Sequence, residues 1–129
     1  MPEKTVFSKI IDRELPADIL FENERIILIK DIRPDAPVHI LAIPKQPYPN
    51  VDALLADTAN GKELLWELTT ALRTLAHSLG IGESGYRIVT NNGPDAHQVV
   101  PHLHIHLLGG EPLRMHAKPG EPSTPEPAG

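Results

Sequence analysis

Apolar residues along this chain repeat at two spacings, and the switch between them marks out the elements. Two short runs rich in β-branched side chains, Ile19–Glu22 and Arg25–Lys30, flank Asn23-Glu24 and read as a hairpin. "VHILAIP", residues 38–44, is a further strand. A period of two places Val38, Ile40 and Ala42 on one face, and His39, Leu41 and Ile43 on the other. "IRPDAP" before it and "KQPYPN" after it are loops, since each holds two prolines. Over residues 57–80 the spacing changes to three and four. Leu64, Leu68, Leu72, Leu75 and Leu79 then form one stripe of a long helix, among whose apolar residues Trp66 is expected to pack. Asp57 or Thr58 is the expected N-cap, and Gly80 stands where a left-handed residue closes a helix. "TVFSKIID", 5–12, predicts one short helical turn, "GYRIVTNNG", 85–93, a strand ending at Asn-Asn-Gly, and "PDAHQ", 94–98, a tight loop. Strands gathered around one long helix predict an α+β fold with an antiparallel sheet.

The last strand carries the chemistry. "PHLHIHLLGG", 101–110, alternates His102, His104 and His106 with Leu103, Ile105 and Leu107. On a strand the three imidazoles share a face, about 6.6 Å apart per step, while the apolar three face the core. On a helix His104 would turn away from the other two. Three readings compete: a solvent face that happens to carry imidazoles, a metal site, and phosphate chemistry. The metal reading suffers from the span of about 13 Å between His102 and His106, and from the absence of any H-E-x-x-H helix. In the phosphate reading a neutral imidazole attacks phosphorus while its neighbours orient it and donate protons.

Composition narrows the field. With no cysteine among 129 residues, disulfides, thiolate catalysis and cysteine zinc sites are excluded. A net charge of −5 without a basic run argues against nucleic acid as a ligand, though a single phosphate remains within reach of imidazoles and backbone N–H groups. There is no apolar stretch of membrane-spanning length, and "MPEKTVFSKI" lacks a signal peptide's apolar run, so a cytoplasmic address is the default. Residues 1–110 read as one domain. Residues 111–129, with five of the 14 prolines, read as a mobile tail.

"HQVVPHLHIHLLGG", 97–110, resembles the signature of the histidine triad (HIT) superfamily, His-φ-His-φ-His-φ-φ with φ apolar. "TVFSKIIDRELPADILFE", "IKDIRPDAPVHILAIPK" and "GYRIVTNNG" are similar to further blocks of that family in the same order, and Leu-Leu-Gly-Gly resembles its Hint-type branch. The resemblance implies five antiparallel strands with one long helix and a short N-terminal helix, and a homodimer whose sheets join into ten strands. It implies binding of a purine nucleotide such as AMP or GMP. The reaction it implies is hydrolysis of nucleoside 5′-phosphoramidates through a nucleotidyl-histidine, with no metal and no cofactor. His104 would be the nucleophile, and His106 would bind the α-phosphate and move its proton. His102 and His39 would complete the network that sets the tautomer of His104. Asn91, Gln98, Val99, His104 and His106 would hold phosphate. Asp31 would take the ribose hydroxyls, and Phe7, Ile10, Ile29 and Ile32 would form the base slot. Without the resemblance, Asp31 reads as a turn-former, Asn91 as a turn cap and the apolar four as ordinary core.

Two departures from the family pattern stand out. Ala96-His97-Gln98-Val99 replaces the usual Gly-Gly-Gln followed by a polar residue, so Val99 lacks the hydroxyl that bonds the scissile oxygen or leaving amine in relatives. The tail is also longer and has no tryptophan. These features keep three alternatives open: a nucleotide-binding protein with little turnover, a diadenosine polyphosphate hydrolase, and a histidine metalloprotein.

Overall fold

The first helix begins where Thr5 turns its hydroxyl back on the chain and accepts the Ser8 N–H at 3.1 Å, capping α1 (Val6–Ile11). The computed structural model describes residues 4–115; the expected tail lies outside the described residues from 116 onward. After α1 come β1 (Ile19–Glu22), β2 (Ile26–Lys30), β3 (Val38–Pro44), α2 (Val51–Ala56), α3 (Gly61–Ser78), β4 (Tyr86–Val89) and β5 (Ile105–Gly109). The strands form one antiparallel sheet in the order β1-β2-β3-β5-β4, as expected for the fold class. The hairpin forms where expected. The Asn23 side chain accepts the Arg25 and Ile26 N–H groups at 2.8 and 2.9 Å, so Arg25 belongs to the turn and not to β2.

Each face of the sheet buries its own cluster. Ile26, Leu28, Ile40, Ala42, Ile105 and Leu107 point to the α3 side and meet Leu64, Leu68, Leu72 and Ala76. Ile27, Ile29, Leu41 and Ile43 point the other way and meet Phe7 and Ile10 of α1. Full burial of each such side chain stabilises by about 1.5–3 kcal/mol. A one-residue shift in pairing would exchange the two sets.

The helical region departs from expectation in several ways. Residues 51–56 form α2, which the leucine stripe did not announce; Asn50 caps it by accepting the Ala53 N–H at 2.8 Å. Asp57 caps no long helix. Its carboxylate accepts from the Tyr48 hydroxyl and from the Ala59 and Asn60 N–H groups, which fixes the elbow between α2 and α3, and α3 starts after Asn60. Leu79 is the C-cap residue and is 48% exposed; Ala76 is the last buried position of the helix. Trp66 lies two residues, roughly 200° around the helix, from Leu64, so it points outward and is 71% exposed. Gly80 does adopt the expected left-handed conformation, φ 81°.

The expected histidine strand is regular only from Ile105. The ladder with β3 stops at the Ala42–Ile105 pair, and Leu103 N–H turns instead to the Tyr48 carbonyl at 2.7 Å. The alternation nonetheless persists, with Leu103 in the α3-side core and His102 and His104 on the other face. β4 likewise stops at Val89, and Thr90 continues by donating its hydroxyl to the His104 carbonyl at 2.9 Å.

The junction of α2 and α3 supplies a test of this packing. A Cβ on Gly61 would collide with the Leu54 backbone carbonyl, which has no flexible end to move. Gly61→Ala is expected to cost about 1–3 kcal/mol of stability, read as a lower urea midpoint at unchanged m-value.

Candidate active site

The site grows from the pairing of β3 with β5. Leu41 sits opposite His106 and His39 opposite Leu108, so the two histidines, 67 positions apart, come up on one face. Their Nε2 (His39) and Nδ1 (His106) atoms are 2.9 Å apart. His39 Nδ1 accepts the Asp35 N–H at 3.1 Å, so its hydrogen sits on Nε2 and is donated to His106 Nδ1. His106 therefore carries its own hydrogen on Nε2. That atom is buried and makes no hydrogen bond among the described residues.

His104 is oriented by its own strand. Its Nδ1 lies 2.8 Å from the His102 carbonyl, which can only accept, so Nδ1 holds the hydrogen and Nε2 the lone pair. The ring lies between Phe7, with centroids 4.7 Å apart, and His106, at 5.1 Å. One imidazole with a lone pair on Nε2 thus stands beside another with a hydrogen there. That is the complement needed for nucleophilic attack with proton donation.

The His102 ring takes a different part from the one expected. Its Nε2 donates to the Pro44 carbonyl at 2.8 Å, and its Nδ1 faces the Thr5 and Ser8 hydroxyls, each at 3.4 Å. The ring ties α1 to the end of β3, and it is the His102 carbonyl that sets the His104 tautomer. His39 sets that of His106 instead. Thr5, Ser8, Asp35 and Thr90 were missed by sequence reasoning. Of these, only Thr5 carried a signal, as a capping residue three positions before Ser8.

Asp31 follows β2 directly, and its N–H bonds to the His39 carbonyl at 3.0 Å. Oδ1 accepts the Arg33 N–H at 2.8 Å, the turn-forming role that its position suggested. Oδ2 lies 3.3 Å from His39 Nε2 and is buried without a hydrogen bond. Asp31, His39 and His106 also form the group among the described residues whose ligand atoms, within 4.8 Å of one another, have metal-binding spacing; His102 and His104 are not in it. Phe7, Ile10 and Ile29 are buried in the α1-side cluster, whereas Ile32 is 81% exposed.

The 91–99 segment bonds to α2 and to the connection before it. Asn91 is half-buried, and Asn92 holds α2 by accepting the Asp52 N–H at 2.8 Å. Gln98 spends its side chain on backbone: Oε1 accepts the Gly93 N–H at 2.8 Å, and Nε2 donates to the carbonyls of Pro49 (2.7 Å) and Val100 (3.0 Å). His97 occupies the left-handed region, φ 61°, which favours glycine. The N–H groups of His97 and Gln98 bond within the loop, to Pro94 and Gly93 carbonyls, while Val99, 70% exposed, has no such intraloop bond for its own.

Burial sets the protonation of the rings. It pushes His106 down to about 3, helped by His104 and His39. It also lowers His39, against the pull of Asp31 and Asp35, and His102, against the Pro44 carbonyl. All three are neutral near pH 7.

Comparison with known proteins agrees with this geometry. The HIT domain family model matches residues 12–113. An uncharacterised HIT-like protein of Synechococcus elongatus is 50% identical over 113 residues, covering 88% of this chain and 96% of that one. The purine nucleoside phosphoramidase of Escherichia coli K12 is 42% identical over 113 residues, covering 88% and 92%. Among solved structures, a HIT family hydrolase from Clostridium thermocellum superposes with a TM-score of 0.79 at 48% identity, covering 92% of this chain and 98% of the other.

The neutral histidines make stability depend on acid. Their folded-state values lie below the unfolded value, so the unfolded chain binds protons first as pH falls. Thermal unfolding is expected to hold steady above about pH 6.5 and to drop progressively below it, each group adding up to about 1.4 kcal/mol per pH unit. His106→Gln should flatten that slope in a Tm-against-pH series.

Proposed function

Because the chain belongs to the HIT family, we propose that it hydrolyses the P–N bond of purine nucleoside 5′-phosphoramidates through a covalent nucleotidyl-histidine. The observation that carries this reading is the pair of fixed tautomers: a lone pair on His104 Nε2 beside a hydrogen on His106 Nε2. The name of the Escherichia coli relative supports the substrate class.

In the first half-reaction the His104 Nε2 lone pair forms a bond to phosphorus as the bond to the amine nitrogen breaks. The departing nitrogen takes the hydrogen of His106 Nε2. One added proton is taken up at His39 Nδ1 in the bound complex, where it displaces the Asp35 N–H; as the amine leaves, the His39 Nε2 hydrogen moves to His106 Nδ1 and the pair returns to neutrality. In the second half-reaction water attacks phosphorus, its proton passes to His106 Nε2, and the P–N bond to His104 breaks. The balance is phosphoramidate plus water giving nucleotide plus amine. Asp31 takes the ribose hydroxyls through Oδ2, which still lacks a hydrogen bond, and Phe7, Ile10, Ile29 and the exposed Ile32 line the base. Asn91, the Val99 N–H, His104 and His106 contact the phosphate; Gln98 serves by holding the loop in shape.

The assembly we propose is a homodimer in which β4, an edge strand with Ile88 exposed, pairs with its copy to give ten strands. Light scattering on the purified chain should return the mass of two copies; a monomer refutes the pairing.

Intact-protein mass spectrometry with an adenosine phosphoramidate tests the chemistry. Wild type should show one added AMP, or release amine rapidly, and His104→Ala should do neither while still binding AMP. Binding without adduct or release in the wild type would make the chain a nucleotide binder. Val99→Ser restores a hydroxyl worth about 1.5–3 kcal/mol as a bond to a charged group, so kcat/KM for the phosphoramidate should rise roughly tenfold or more.

A further inference from the structure

Asp31 is placed oddly for a residue that only grips a sugar. Its carboxylate is buried, one oxygen occupied by the Arg33 N–H, and the other directed at His39 Nε2 from 3.3 Å without a hydrogen bond. An ionised carboxylate held out of water without a partner is costly, and a cation beside it removes much of that cost. The atom it faces belongs to a hydrogen-bonded ring pair whose far end, His106 Nε2, is the proton donor of the proposed reaction. Carboxylate, His39 and His106 are therefore in contact in that order, at 3.3 and 2.9 Å.

We propose that Asp31 is a positioning residue for proton delivery as well as a ribose ligand: its buried carboxylate is the fixed counter-charge that lets the His39–His106 pair take up the proton handed to the departing amine. This rests on the phosphoramidase reading above. The groups facing His39 are Asp31 after β2, Asp35 in the following loop and His106 on β5, with His104 beyond His106. Desolvation and His104 oppose a positive charge there, while Asp31 and Asp35 favour it. Asp35 reaches His39 through its backbone N–H, so the close side-chain charge is that of Asp31. Ribose hydroxyls and a protonated ring pair then share one carboxylate, and nucleoside recognition is coupled to acid strength.

A substrate without the ribose hydroxyls separates the two roles. Wild type and Asp31→Asn are compared on adenosine 5′-phosphoramidate and on its 2′,3′-dideoxy analogue, with kcat and KM followed against pH. On the dideoxy substrate the ribose contact is already gone. The substitution should still lower kcat at neutral pH by about tenfold and move the alkaline limb of the kcat profile down by about one pH unit. The direction follows because removing the carboxylate makes the pair lose its proton at lower pH. Identical kcat and identical profiles for the two proteins on that substrate would overturn the proposal and leave Asp31 a ribose ligand alone.

Imidazole 15N spectra of wild type bound to 2′,3′-dideoxy-AMP give an answer that needs no variant. A His39–His106 pair protonated near neutral pH is expected, and a pair that stays neutral down to about pH 5 overturns the proposal. If the wild type releases no amine even from the ribose substrate, the phosphoramidase reading fails, while these spectra still decide the role of Asp31.

Discussion

The hydrogen bond between His39 and His106 exists only because β3 and β5 pair in one register. That register sets Leu41 against His106 and His39 against Leu108, and it simultaneously sends Ile40, Ala42, Ile105 and Leu107 into the α3-side core. Sliding either strand by one residue would turn its imidazoles to the α3 side and its apolar set to the α1 side. Hydrophobic burial and the alignment of two ring nitrogens are therefore the same constraint. The site inherits the rigidity of the strongest part of the fold, and tautomers are fixed before any substrate arrives.

The sequence made legible whatever depends on period and composition. Alternation placed His39, Leu41 and Ile43 on one face and Val38, Ile40 and Ala42 on the other. The leucine stripe located the long helix, and Gly80 located its end. What escaped depends on where partners run out. Nothing in "PHLHIHLLGG" says that pairing with β3 begins only at Ile105, so the break in the strand before it was invisible, and with it the use of the His102 ring to hold α1. Asp57 looked like a cap because caps and elbows draw on the same short polar side chains. Trp66 was misread because an apolar residue near a stripe need not lie on it; its angle from Leu64 decides. Gln98 was assigned to phosphate by resemblance, whereas its amide is consumed by three backbone groups, two of its own loop and the Pro49 carbonyl before α2. The approach of Asp31 to His39 is likewise a product of chain reversal between β2 and β3, and no local pattern encodes it.

The two sides of the sheet divide the labour unequally. One is covered by the 18-residue α3, the other by the six-residue α1, which His102 pins through Thr5 and Ser8. The thick side holds the larger apolar cluster, and the thin side carries the histidines. A carbonyl and a peptide N–H, groups present in any chain, then set the tautomers of His104 and, through His39, of His106. Specific chemistry here asks little of side chains beyond the histidines themselves, which is why so short a motif carries so much of it.

The outward-facing indole on α3 has a practical side. The chain holds a single tryptophan, and it stands in solvent on the far side of the sheet from the histidines. Its emission is thus insulated from nucleotide, phosphate and ring protonation, and sensitive to whatever comes to cover the outer surface of α3. The molecule carries an optical gauge of its own association that is blind to its catalysis, so the two can be followed separately in one sample.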